Sequence, residues 1–354
     1  MVGIAMSLRS APLFFLGIPS GILADIFDRK RLLIILTFML ALFKALMAIL
    51  ILTNHIQVWH LLGSTLVTGS IWALCQPARQ SLAVDLVGKF NAISGLATIG
   101  LSFRIGALLG SLVIGFLMER DGPGIAYCLL SISYVGAALG LILVMVDNQS
   151  TERIRKSLHD TVLEFRSAIA ANSAIAIILL IIAGTEMFGF ATQSAFPSIT
   201  RDVLNEEAGV LGILNASRAT GAITIIVLLS SLAEIPRKGT WLLISIGTLG
   251  TCIVLLGAST DLIITIVLIS VMGGMMALSD IFTQGFLQTL VPDNQRGRAM
   301  GVWVVGIGTQ PLGNLQIGAL ISLWGVSISL FSSGLALIII TLGVASLYPR
   351  LRRI

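Results

Sequence analysis

Apolar stretches long enough to cross a bilayer recur from one end of the chain to the other, and no other feature limits the fold so strongly. A spanning helix needs about 20 residues at 1.5 Å of rise each. Eleven such segments are expected, at approximately 2–24, 32–53, 60–78, 91–117, 124–146, 174–197, 209–232, 240–258, 261–289, 299–322 and 325–347. Backbone polar groups in lipid must be satisfied within the segment itself, so each is read as a helix; a barrel would show short alternating segments. Charged residues make up 11% of the chain, whereas a soluble domain carries about 25%. The expected class is an all-α membrane protein, with the lipid bilayer as its main solvent.

The basic residues set the orientation. Arg29, Lys30, Arg31, Arg79, Lys89, Arg153, Arg155, Lys156, Arg166, Arg237, Lys238, Arg296, Arg298, Arg350, Arg352 and Arg353 fall in one alternating set of connections. The other set holds only Arg120 and Arg201. The positive-inside rule puts the rich set in the cytoplasm, with Met1 outside and the C-terminus inside. Because these cations are spread over short loops, the net charge of +5 points to topology and not to nucleic acid. Met1 to Gly3 has no basic region ahead of its apolar run, so no cleaved signal peptide is expected.

Residues 147–172 form the longest polar stretch, with Leu158, Val162, Phe165 and Ile169 at helical spacing. They read as a cytoplasmic linker with an amphipathic helix on the membrane face. The linker separates an N-terminal bundle of five spans (1–146) from a C-terminal bundle of six (173–354). The halves are related. An offset of 209 brings Gly3, Arg9, Asp25 and Arg29 onto Gly212, Arg218, Glu234 and Lys238, and an offset of 204 brings Gly69 and Gln80 onto Gly273 and Gln284. Two pseudo-symmetric helical bundles related by an axis along the membrane normal are a secondary-transporter architecture. In this register the sixth span has no partner in the first half, so a missing N-terminal helix is expected.

Residues 21–33, Gly-Ile-Leu-Ala-Asp-Ile-Phe-Asp-Arg-Lys-Arg-Leu-Leu, resemble the loop signature of the major facilitator superfamily. Gly21, Asp25 and Arg29 hold its key positions, and Asp28 stands where many members have glycine. With Pro77-Ala78-Arg79-Gln80 and Pro311-Leu312-Gly313, the chain is similar to the enterobactin-exporter-like branch over essentially its whole length. The resemblance implies twelve helices in two sets of six, with Met1 just before the family's second helix. It also implies a latch, in which Asp25 pairs with Arg29 and meets the start of the eleventh helix near Gly301. Asp280, near the cytoplasmic end of its span, is a further candidate for that latch, with a solvated helix end as its alternative. One departure is the segment Arg104 to Gly110, which lacks the proline that many exporters carry there and so gives no support to antiport.

Charges inside spans cost at least ~2.5 kcal/mol each on insertion scales and should face a partner or a water-filled path. They are Arg9, Lys44, Arg104, Glu186 and Arg218. Glu186 is the acidic residue deepest in a span and the candidate proton-coupling group; static pairing with an arginine is its alternative. Arg104 is placed near the middle, whereas Arg9 and Arg218 share a depth in the outer leaflet, as structural or outer-gate residues. Lys44 is read as snorkelling. Cys75, Cys128 and Cys252 are read as packing residues, and His55, His60 and His159 are scattered, so no metal or other cofactor is expected. No nucleophile arrangement points to an enzyme, and no phosphate-binding loop points to an ATP-driven pump. Gly306-x-Gly308 is followed by Pro311 in the third glycine position, which excludes a dinucleotide fingerprint.

The first reading is a proton-coupled exporter of a small organic molecule, siderophore- or drug-like, acting as a monomer by alternating access in the inner membrane. Import by symport is a second. A truncated chain or membrane scaffold that does not transport is a third.

Overall fold

The computed structural model describes residues 2–87, 92–145, 173–230, 237–289 and 306–349. The expected linker at 147–172, Gly301 and the first residues of the span placed at 299–322 lie outside them, as do the side chains of residues 21–26, Asp25 among them.

Among the described residues the first half holds α1 (Val2–Ile26), α2 (Arg29–Leu52), α3 (Val58–Val87), α4 (Ala92–Arg120) and α5 (Gly122–Leu143). The short connections have local causes. Asp28 is extended and accepts the Arg31 backbone N–H at 2.7 Å, capping α2. Gly122 takes φ 81°, which lets α4 turn directly into α5, and proline occupies the first turn of α5.

The second half begins with α6 (Ser173–Gly184), and here the expected regular span gives way to an irregular one. The chain passes through a π-helical turn (Thr185–Gly189), a 3-10 segment (Phe190–Ala195), a short α-turn (Phe196–Ser198) and a second π-turn (Ile199–Val203). It therefore ends at Val203, beyond the expected 197. Pro197 sits in the first turn of the short helix, where its missing N–H costs little. Arg201 and Asp202, polar enough to look like a loop, pair with each other at 2.9 Å at the rim. Then come α7 (Ala208–Ser230), α8 (Lys238–Ala258), α9 (Leu262–Thr289) and α10 (Gln310–Leu347). Gly325 (φ 83°, ψ 173°) breaks α10 into two spans where the sequence placed the 322–325 turn.

Packing repeats the sequence duplication. α1 lies along α3 as α7 lies along α9, and α2 along α5 as α8 lies along the later part of α10. In the first pairing Gly69 is pressed against the backbone carbonyl of Arg9; in the second, Gly273 is pressed against that of Arg218. Any side chain at either glycine would collide. The two matches found at different offsets are thus one helix crossing built twice.

The halves meet along α1–α10 and α4–α7, and these contacts are also copies. A Cβ on Gly3 would lie 2.6 Å from the Asn314 carbonyl oxygen and 2.8 Å from the Gly318 Cα. A Cβ on Gly212 would lie 2.6 Å from the Ser111 carbonyl oxygen and 2.9 Å from the Gly115 Cα. Small residues let helix backbones approach this closely.

Burial is unequal. The second half has a continuous core around Phe196, Leu249, Ile253 and Met272, while the first has a smaller cluster around Leu33, Leu36 and Ile71. Within their apolar windows, 56% of α8 is buried but only 6% of α4 and 11% of α5. Gly313 on α10 shows why. The Met187 carbonyl and the Ala191 methyl of the α6 span press on it, whereas none of the described residues lies within 4 Å of a Cβ at its counterpart Gly110 on α4. The face that α6 covers on α10 is open on α4.

Candidate functional site

At the basic end of the bundle, the Asp28–Arg31 turn is tied to three helices. Arg29 Nη1 donates to both carboxylate oxygens of Asp85 on α3, at 2.9 and 2.7 Å, and both side chains stay partly open to solvent. Lys30 Nζ donates to the Ile142 carbonyl at the end of α5, at 2.9 Å. Asp28, through its cap, fixes the start of α2. Arg29 thus reaches a partner 56 residues away. Gly21 and Asp25 lie in the last turns of α1, eight and four residues before Arg29.

Asp85 was missed by sequence reasoning. Its signal is an acid at a helix end amid Arg79, Lys89 and the 29–31 cations, a place where a carboxylate gains from positive neighbours.

At the other end, below the Gly3–Gly318 crossing, a polar network joins the halves. Ser7 Oγ donates to the Pro311 carbonyl at 2.9 Å, and the Asn314 amide donates to Ser10 Oγ at 3.3 Å. Ser194, on the 3-10 segment, donates to Asn314 Oδ1 at 2.9 Å. Asn314 therefore bridges α1 and the α6 span. Sequence reasoning missed this set too, although Ser7 and Ser10 flank Arg9 at helical spacing. A cleft of about 320 Å³ opens beside it, lined in part by Gly3, Ser194, Arg201 and Ser322.

The intramembrane charges lie between these ends. Helix rise places Arg9 and Arg218, each six residues past its crossing glycine, about 9 Å below the crossings. Arg104, eleven residues from Gly115, is about 16 Å below. Glu186 is 5% exposed and sits on the first π-turn of the α6 span. Such turns widen a helix and recur at functional sites. Asp280 stands on α9 with its charge in reach of Arg104 and Glu186, and the charges of Arg9 and Arg104 both reach Arg218.

Among the described residues, none of Arg9, Arg104, Glu186, Arg218 and Asp280 has an ion-pair partner within 4 Å. Arg218 Nε is buried without a hydrogen-bond partner. Lys44 differs: its ammonium donates to Thr68 Oγ1 at 3.2 Å and lies 5.4 Å from the Tyr127 ring centre, so it is held inside the first half instead of reaching for the interface. Among the described residues no three His, Cys, Asp or Glu side chains converge as metal ligands would.

Two mirrored helix sets, a braced basic turn and charges suspended between them form a transporter's frame, and comparison with known proteins agrees. The sequence pattern of the transmembrane secretion effector family matches residues 1–353. The chain belongs to that family, and it is a major facilitator transporter.

It is 25% identical to the enterobactin exporter EntS of Shigella boydii serotype 4 (strain Sb227), over all of this chain and 84% of that protein. Identity is also 25% to EntS of Escherichia coli O139:H28 (strain E24377A / ETEC), over 99% and 84%. Among solved structures, a POT family transporter in complex with 5-aminolevulinic acid superposes with a TM-score of 0.74 at 14% identity, over 99% of this chain and 88% of that one. A bacterial homolog of the human lysosomal transporter Spinster, inward-facing and occupied, gives 0.71 at 14% identity, over 99% and 91%. The family member described here is thus a multi-pass membrane transporter.

Proposed function

We propose that this transporter exports a small organic molecule across the inner membrane, with its basic end and C-terminus in the cytoplasm. The observation that carries the reading is the duplicated glycine crossing, Gly3–Gly318 and Gly212–Gly115. Two rigid sets touching along two equivalent seams can rock about them, and a solute held between the sets is then exposed to one side at a time. The 25% identity with enterobactin exporters supports the outward direction and a siderophore- or drug-like substrate. The moving bodies are residues 1–146 and 173–354, joined through a cytoplasmic linker at 147–172, and one chain supplies both.

The proton gradient is the driving force in this reading, and Glu186 is the proton carrier. Its carboxyl is buried on a widened turn and touches no cation among the described residues, so gaining a proton removes a charge that these residues do not neutralise. Gly21, Asp25 and Arg29, with Asp85 as brace, hold the cytoplasmic side closed.

Everted membrane vesicles test all of this. Energised vesicles containing the chain should take up substrate, in the sense that represents export, and should release protons as they do so. Uptake only by right-side-out vesicles would instead mean symport into the cell. A deletion strain compared with its complemented parent for secreted siderophores and metabolites identifies the substrate.

A further inference from the structure

We infer that Arg9, Arg104 and Arg218 together form the substrate-binding site and that it selects small organic anions carrying more than one negative group; this rests on the transport reading above. The three guanidinium groups come from α1, α4 and α7, so both halves contribute. Each lies within an apolar span, where an uncompensated cation is costly. Yet none makes an ion pair or a hydrogen bond among the described residues, and Arg218 Nε is a buried donor with no acceptor there. Buried donors without partners are rare, and each calls for an explanation such as a missing ligand.

The nearby acids do not supply that ligand. Glu186 and Asp280 are two carboxylates against three guanidinium groups, and neither comes within 4 Å of one. Lys44 is excluded from the site because Thr68 and Tyr127 already hold its ammonium.

What the site lacks is therefore negative charge with several acceptor oxygens. A planar guanidinium pairs in parallel with carboxylate, phosphate or sulfonate oxygens, and does so best where water is excluded. Arg9 and Arg218 occupy equivalent places in the two halves, so an anion with two or more charged groups spans them better than a single carboxylate. It would draw the halves together as it binds.

The test uses the full chain in lipid nanodiscs, with citrate, acetate, glycerol and tetraphenylphosphonium as probes. Binding to the folded state raises the unfolding midpoint, and the rise grows with the logarithm of ligand concentration over Kd. Citrate should raise it well above acetate, glycerol should leave it unchanged, and added salt should reduce the effect. Arg218→Gln should weaken citrate binding by about ten- to a hundredfold. Arg218→Lys, which keeps the charge but not the fork, should lose less, and it serves if the glutamine variant fails to fold.

Citrate no better than acetate, or unchanged affinity in both Arg218 variants, overturns the inference. So does a midpoint raised by tetraphenylphosphonium alone. Phosphatidylcholine discs with and without phosphatidylglycerol separate a soluble anion from a lipid headgroup: if phosphatidylglycerol alone gives the full shift and citrate adds nothing, the site holds lipid and the inference falls. In everted vesicles, uptake of tetraphenylphosphonium but of no anion sinks the anion site and spares the exporter. Movement of neither class sinks the exporter reading, and citrate binding then decides the anion site alone.

Discussion

Gly3 and Gly318 cross so closely that a methyl group on Gly3 would stand 2.8 Å from the Gly318 Cα, and Gly212 holds the same relation to Gly115 at 2.9 Å. Both contacts are backbone on backbone, so neither can yield by rotating a side chain. An added methyl must push whole helices apart, and overpacking of that kind costs about 1–3 kcal/mol. Gly3→Ala and Gly212→Ala should therefore each lower the thermal midpoint of the protein in detergent. Gly63→Ala, at a helical glycine with nothing within 4 Å, should leave it unchanged or raise it. Equal effects at all three positions would mean that the seams are looser than they look.

The glycines at 313 and 110 are counterparts with opposite surroundings. Gly313→Ala drives a methyl into the Met187 carbonyl and the Ala191 methyl, and should destabilise by about 1–3 kcal/mol. Gly110→Ala meets open space and gains about 0.5–1 kcal/mol of helix propensity. Unfolding of the two variants in mixed micelles should move in opposite directions. Were Gly110→Ala as harmful as Gly313→Ala, another helix would have to sit on α4 in the membrane.

How much of this was legible follows from range. Spans, helix class and duplication were readable because hydrophobic runs are local and because Arg9/Arg218 recur with their flanking turn. The seams were half-readable: Gly3 and Gly212 matched, but their partners Gly318 and Gly115 come into play only when α10 and α4 are docked. Asp85 stayed hidden because its partner lies 56 residues away and one acid at a helix end looks solvated. The irregular course of the α6 span was also illegible. Its π and 3-10 turns lie where Met187 and Ala191 meet Gly313 of α10 and where Gly189 meets Leu249 of α8, contacts that no periodicity reports. Gly325, by contrast, sits between two readable runs, and the turn there was anticipated.

The Arg29–Asp85 pair is a good subject for charge reversal. With side chains 18% and 32% exposed, water screens it, so its contribution is of order 1 kcal/mol. Arg29→Glu places two carboxylates together and should slow transport and lower stability. The exchange Arg29→Glu with Asp85→Arg should recover much of both, and raised salt should narrow the gap between single and double variants. A double variant as impaired as Arg29→Glu alone would show that Arg29 acts through another partner, of which Asp25, one turn back on α1, is the first to examine.

Glu186 separates a coupling role from a structural one. A carboxylate kept for static pairing would need a cation within about 4 Å, and none is present among the described residues. Replacing it by glutamine keeps size and shape, and removes only the ability to exchange a proton. Burying an ionised carboxylate is costly, so Glu186→Gln should not destabilise the protein and should raise its thermal midpoint wherever the native group is charged. Transport down a substrate gradient should then persist, while accumulation driven by an imposed proton gradient should vanish. Glu186→Ala is the control for packing, since it leaves a cavity and costs stability. If glutamine at 186 accumulates substrate as well as the parent under the same gradient, the proton travels by another group, and Asp280, whose charge reaches both Glu186 and Arg104, is the one left to carry it.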